Sequence, residues 1–118
     1  MMVPTLTAQP DPRRHALVVT VQGPLATYDH GVALTDACLP LPPAYHLLVN
    51  LSGVTIVTDT GVHALRQLVH DVKAAGSRVA FVCSELILRA ELMLADLDLI
   101  APVVEAEEHA YPFVGFAA

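Results

Sequence analysis

The chain has 118 residues, 54% of them hydrophobic and 15% charged, which allows one sizeable core and argues against disorder. Its formal net charge of −6 accompanies only six Lys and Arg residues, of which only Arg13 and Arg14 are adjacent, so the basic surface needed for nucleic acid is missing. The most apolar stretch, Leu86 to Val104, is interrupted by Arg89, Glu91, Asp96 and Asp98, which a bilayer-spanning helix would not carry.

Thr5 to Gln9 predicts a short edge strand before a turn at Pro10-Asp11-Pro12, where proline fixes φ and pushes the preceding residue extended. His15 to Gln22 is rich in β-branched residues and stops at Gly23-Pro24, a strand-to-turn signal. Thr27 is placed to cap a helix over Tyr28 to Leu39, with Val32, Ala33, Ala37 and Leu34 inside and Pro40, Pro42 and Pro43 ending it. The next strand, His46 to Leu51, ends at Ser52-Gly53. A helix then runs from about Gly61 to Ala75, with Val62, Leu65, Leu68, Val69 and Val72 on one face. His63, Arg66, Gln67, His70 and Lys73 fall on its other face, and Gly76 stops it.

Arg78 to Cys83 reads as a buried strand. Ser84 is expected to cap a helix reaching about Ala95. Pro102 to Val104 gives a last strand, and Glu107 to Phe113 a final partial helix limited by Pro112. Near-continuous apolar strands alternating with helices imply an α/β fold with parallel pairs, covered by helices on at least one face. Residues 1–118 read as one domain with a core from about 15 to 110. Met1-Met2-Val3-Pro4 lacks the regions of a signal peptide, and Cys38 and Cys83 lack metal-type spacing. The expectation is two reduced thiols in a cytoplasmic protein, with Cys83 in the core.

The chemistry-bearing residues cluster at Thr58-Asp59-Thr60-Gly61, where a polar turn opens a helix whose first N–H groups lack partners. Aspartate is a preferred helix cap, stabilising by roughly 0.5–2 kcal/mol over alanine, so Asp59 has a structural explanation at hand. Asp59-Thr60-Gly61 also spells the aspartic-protease triplet, but that motif requires a β-rich setting and two carboxylates sharing a proton. An aspartic protease is therefore the remote alternative. His63 and His70 are too far apart for an i, i+4 chelate, and His15, His30, His46 and His109 do not cluster, so no metal, cofactor or catalytic constellation is expected. Leu86, Ile87, Leu88, Leu92, Met93 and Leu94 exceed one helical stripe. Deep packing of that helix is the expectation; a self-association or partner patch is the alternative.

The run Leu47 to Val62 resembles the core motif of the STAS domain family, the bacterial anti-sigma-factor antagonists. Ala74-Ala75-Gly76-Ser77-Arg78-Val79 resembles that family's helix end and following strand. Gly23-Pro24-Leu25-Ala26 is similar to its Gly-x-Leu-Asp turn, with Ala26 replacing the acidic residue. Leu97-Asp98 followed by Pro102-Val103 is similar to the turn before its last strand. The resemblance implies a STAS-like mixed, partly parallel β-sheet flanked by α-helices. In the family the motif turn reads roughly Asp-Ser/Thr-Ser/Gly-Gly, and its second residue is phosphorylated. Aligned on Gly61, that slot holds Asp59, and Thr58 stands where the first acidic residue would be.

What the resemblance implies is a non-enzymatic regulator that binds an anti-sigma factor, often a serine kinase, until charge added at the turn breaks the contact. The implied regulatory residues are Thr58, Asp59 and Thr60, and the implied partner surface is Asp59, Thr60, His63 and Arg66. Phosphoserine carries about −1.5 to −2 at neutral pH, so Asp59 imitates its sign but not its full charge. Thr58 or Thr60 then supplies the hydroxyl for a kinase. The same fold also serves as a subunit of larger assemblies, such as a stress-signalling complex or a lipid-transport ATPase complex, and homo-oligomers are compatible with it.

Overall fold

Two long runs of apolar and β-branched residues, Ala16–Leu25 (β2) and His46–Val57 (β3), pair in parallel and form the spine of the molecule. The structure, a computed structural model, describes residues 3–113. Around the spine are strands β1 (Thr5–Asp11), β4 (Val79–Val82) and β5 (Val103–Val104). The helices are α1 (Tyr28–Cys38), α2 (Asp59–Ala74), α3 (Leu86–Leu94) and α4 (Glu107–Ala110), with a 3₁₀ turn at Leu97–Leu99. The sheet order is β1-β2-β3-β4-β5, with β1 antiparallel to β2 and the other pairs parallel, as expected for an α/β chain of the STAS type.

The strands run further than their sequence signals suggested. Gly23-Pro24 does not end β2, nor Ser52-Gly53 β3, because register shifts between Thr20 and Gln22 and between Gly23 and Pro24 absorb the irregular residues. β1 likewise continues through Pro10 to Asp11, and the turn lies at residues 12–15. Proline is tolerated there because β1 is an edge strand whose outer N–H positions need no partner. β4 meets β3 only along Leu47 to Asn50, so residues 51–57 of β3 overhang it.

Strand alternation divides the core. Val19, Val21, Leu47, Val49, Leu51 and Phe81 pack with Leu34 and Cys38 of α1, Leu65, Leu68, Val69 and Val72 of α2, and Leu88 and Leu92 of α3. Each such side chain contributes roughly 1.5–3 kcal/mol by leaving water. The opposite sheet face carries a smaller cluster, Leu48, Ala80, Val82 and Ala110, beneath α4. Asn50 Nδ2 donates to Glu107 Oε1 at 3.3 Å and ties α4 to the sheet. Cys38 and Cys83 are free and buried, and burial pushes the Cys38 thiol up to about 12 and the Cys83 thiol upward.

Helix faces also correct the reading of the sequence. On α1 the buried residues are His30, Gly31, Leu34 and Cys38, whereas Val32 is exposed. A Cβ on Gly31 would stand 2.8 Å from the Cβ of Ala64, so glycine sets the close crossing of α1 and α2. α3 begins one residue later than expected: Glu85 is its cap, its Oε1 accepting from the Ile87 N–H at 3.0 Å, while the Ser84 N–H donates to Ser52 Oγ. α3 buries only Leu88 and Leu92, so it is not deeply packed. Leu86, Ile87, Met93 and Leu94 face outward.

Candidate protein-binding surface at the start of helix α2

The connections β2–α1, β3–α2 and β4–α3 all leave the carboxyl ends of parallel strands, where α/β sheets commonly place their sites. The first two are locked together. The Thr58 N–H donates to the Leu25 carbonyl at 3.1 Å, and Thr58 Oγ1 donates to the Ala26 carbonyl at 2.9 Å. The same Oγ1 accepts from the Gly61 N–H at 3.3 Å, which makes Thr58, and not Asp59, the cap of α2. Its extended backbone (φ −101°, ψ 175°) suits that role.

Gly61 completes the joint. A Cβ at this position would collide with the Leu25 carbonyl, so the helix start approaches the end of β2 as only glycine permits. The facing turn is fixed by His30, which is buried. Its Nδ1 accepts from the N–H groups of Ala26 at 3.1 Å and Thr27 at 3.3 Å. Thr27 Oγ1 accepts in return from the His30 N–H at 3.2 Å, closing a capping box in which histidine replaces the usual Glu or Gln.

Against this rigid base, Asp59 and Thr60 are exposed as the first two residues of α2. The Asp59 carboxylate stands at the positive end of the helix without being its cap. Next to it a groove of about 290 Å³ runs between α1 and α2. Tyr28, Val32 and Gly31 line it from α1, and Thr60, His63 and Ala64 from α2. Asp36 and Asp71 line it too, and no Lys or Arg does.

Of the residues singled out from the sequence, Asp59, Thr60 and His63 share this surface, while Thr58 lies beneath it as scaffold. Arg66 is elsewhere. It is half-buried, and its guanidinium donates to the Ala95 carbonyl at the end of α3. Tyr28 and Val32 are the residues that sequence reasoning missed. Tyr28 is 77% exposed immediately after the Thr27 cap, and an aromatic at the first helical position was the available signal. Asp59-Thr60-Gly61 opens a helix, not the β-rich setting of the protease triplet. Among the described residues, no group of three or more His, Cys, Asp or Glu is placed to hold a metal ion. Within them, no helix is long and apolar enough to cross a membrane.

Comparison with solved structures shows the same fold at low identity. A putative anti-sigma factor antagonist from Thermotoga maritima matches with a TM-score of 0.77 and 12% identity, over 92% of this chain and 93% of that one. An anti-sigma factor antagonist from Mycobacterium paratuberculosis gives 0.75 and 22% identity, over 94% of this chain and 93% of that one. The murine Solute Carrier 26 family member A9 anion transporter contains a similar fold, with a TM-score of 0.73 and 16% identity over 97% of this chain and 22% of the transporter. No curated protein sequence matches the chain. A family model described as the STAS domain matches residues 7–110. The chain belongs to the STAS domain family.

Proposed function

We propose that this protein is a non-enzymatic regulatory module that binds a protein partner through Asp59, Thr60, His63 and the adjoining α1–α2 groove. The observation that carries this reading is the division of labour at the turn. Thr58 holds the β2–α1 and β3–α2 connections together, while Asp59 presents a carboxylate to solvent beside the groove. By analogy with the antagonists of similar fold, the partner is an anti-sigma factor, often a serine kinase. Asp59, in the slot that relatives phosphorylate, then acts as a fixed partial charge. Placing charge in an interface that loses water on binding is costly, so Asp59 weakens a contact that an uncharged side chain would allow.

A hydroxyl remains for a kinase, and the geometry favours Thr60 over Thr58. Thr60 is exposed, whereas Thr58 Oγ1 is half-buried with both a donated and an accepted hydrogen bond. Incubation with the partner kinase and ATP, followed by mass spectrometric mapping, is expected to place any stable phosphate on Thr60.

The decisive measurement is affinity for the co-purifying anti-sigma factor. Asp59→Ser is expected to tighten binding, whereas Arg66→Ala, whose lost guanidinium is tied to the Ala95 carbonyl, is expected to leave affinity unchanged. Equal affinity of the serine variant and the parent, with normal folding, defeats the role of Asp59. A second reading, a subunit of a larger assembly, is favoured by the apolar outer side of α3. Recovery with transport-ATPase subunits in place of an anti-sigma factor would select it.

A further inference from the structure

The outer side of α3 carries a second apolar stripe that the described residues leave exposed. Leu88 and Leu92 face the core, but Ile87, Ala90 and Leu94 recur at i, i+3 and i+7 on the opposite side, with Leu86 and Met93 beside them. Leu86, Ile87 and Leu94 are 67%, 69% and 85% exposed. The overhanging part of β3 extends this surface. Val54, Thr55 and Ile56 form one wall of a dent of about 250 Å³, and Ile87, Leu88 and the flanking carboxylates Glu85 and Glu91 form the other. Contiguous exposed apolar surface of this kind marks an interaction site.

Charge tells which occupant fits. Glu85, Glu91, Asp96 and Asp98 are exposed on and just after α3, and none forms an ion pair among the described residues. The cations of this side are turned away to backbone carbonyls. Arg66 donates to Ala95, Lys73 to Ile100, and Arg89 to Cys83 while pairing with Glu105 at 3.4 Å. The result is an apolar stripe with a carboxylate rim. A second copy would bring the same carboxylates against these, and an anionic membrane would repel them.

We infer that α3 and the end of β3 form a second docking surface, separate from the α2 turn, for a basic amphipathic helix of a partner protein. Such a helix places apolar residues at i, i+3 and i+7 along the stripe and Lys or Arg against Glu85 and Glu91. This inference does not depend on the reading of Asp59.

The test uses the full chain and two synthetic amphipathic peptides with one leucine stripe, flanked by lysines in one and by glutamates in the other. Resonance shifts on titration are expected at Thr55, Ile56 and Leu86 to Leu94, with the lysine peptide bound at least about tenfold tighter. Ile87→Gln and Leu94→Gln should each abolish binding without moving the unfolding midpoint, since both side chains lie in water. Glu91→Gln should weaken the lysine peptide severalfold. Equal binding of the two peptides, no binding at millimolar peptide, or binding that survives Ile87→Gln would each overturn the inference. Self-association of the chain relieved by Leu94→Gln would make a second copy the occupant, and a loss of exposure at Ile87 dependent on residues 114–118 would make it this chain's own end. Either result overturns the partner helix.

Discussion

Helices α2 and α3 pack on the same face of the sheet but divide their apolar residues differently. α2 puts Leu65, Leu68, Val69 and Val72 inward and leaves His63, Gln67, His70 and Lys73 in water. α3 puts only Leu88 and Leu92 inward and leaves Leu86, Ile87, Met93 and Leu94 outside. The α2 pattern is fully explained by folding, so the proposed partner contact rests on the polar first turn. The α3 pattern exceeds what folding requires, and the excess is the part that points to association.

The sharpest way to break this comparison is at the start of α2 and the two sides of α3. Gly61→Ala should have the largest effect, beyond the ~1–3 kcal/mol usual for overpacking, because the new Cβ meets the Leu25 backbone instead of a movable side chain. Failure to reach a native spectrum, or a midpoint lowered more than in any other variant here, is the expected result. A near-native midpoint would mean that α2 and β2 can separate at little cost. Within α3, Leu92→Ala should cost about 2–5 kcal/mol, whereas Leu94→Gln should stay within about 0.5 kcal/mol of the parent in denaturant titration. Similar losses at both positions would show that the outer stripe is packed in solution.

How far these features were legible in the sequence differs for the two helices. The single stripe of α2 admitted one orientation, and Leu65, Leu68, Val69 and Val72 of its inner face were readable from periodicity alone, while Val62 is only half-buried. α3 has apolar residues on two sides, and periodicity cannot say which side meets the sheet. The strand ends were misread because Gly23-Pro24 and Ser52-Gly53 are strong local stop signals, whereas the pairing of β2 with β3 carries both strands past them through shifted register. That pairing is tertiary and has no local signature. α1 was misjudged because its inner side contains His30 and Gly31, a polar residue satisfied by backbone N–H groups and a glycine set against Ala64. The turn was located correctly, but Thr58 and Asp59 are both good caps in sequence. Only the carbonyl of Ala26, delivered from the β2–α1 connection, decides between them.

That choice of cap gives the next contrast. Thr58→Ala removes the bond accepted from Gly61 and the one donated to Ala26, so a loss of about 1–2 kcal/mol is expected by thermal or chemical unfolding. Thr58→Ser keeps the hydroxyl and should recover most of it. If the serine variant is as unstable as the alanine one, the methyl group of Thr58, and not its hydroxyl, joins the two connections.

Within the turn, the smallest effect on stability is expected at Asp59. It follows the cap and is exposed, so its link to the fold is the attraction of a carboxylate for the positive end of α2. Such attraction is worth about 0.3–1 kcal/mol at low ionic strength and is screened by salt. Asp59→Ala should therefore lower stability by no more than that, with the difference shrinking as salt is added. A loss as large as that of Thr58→Ala, insensitive to salt, would identify a structural bond made by Asp59. It would also return the turn's carboxylate to the scaffold, and a change of affinity in Asp59→Ser would then report altered folding. A small, salt-sensitive loss leaves Asp59 dispensable for the fold, as a residue kept for its charge towards a partner should be.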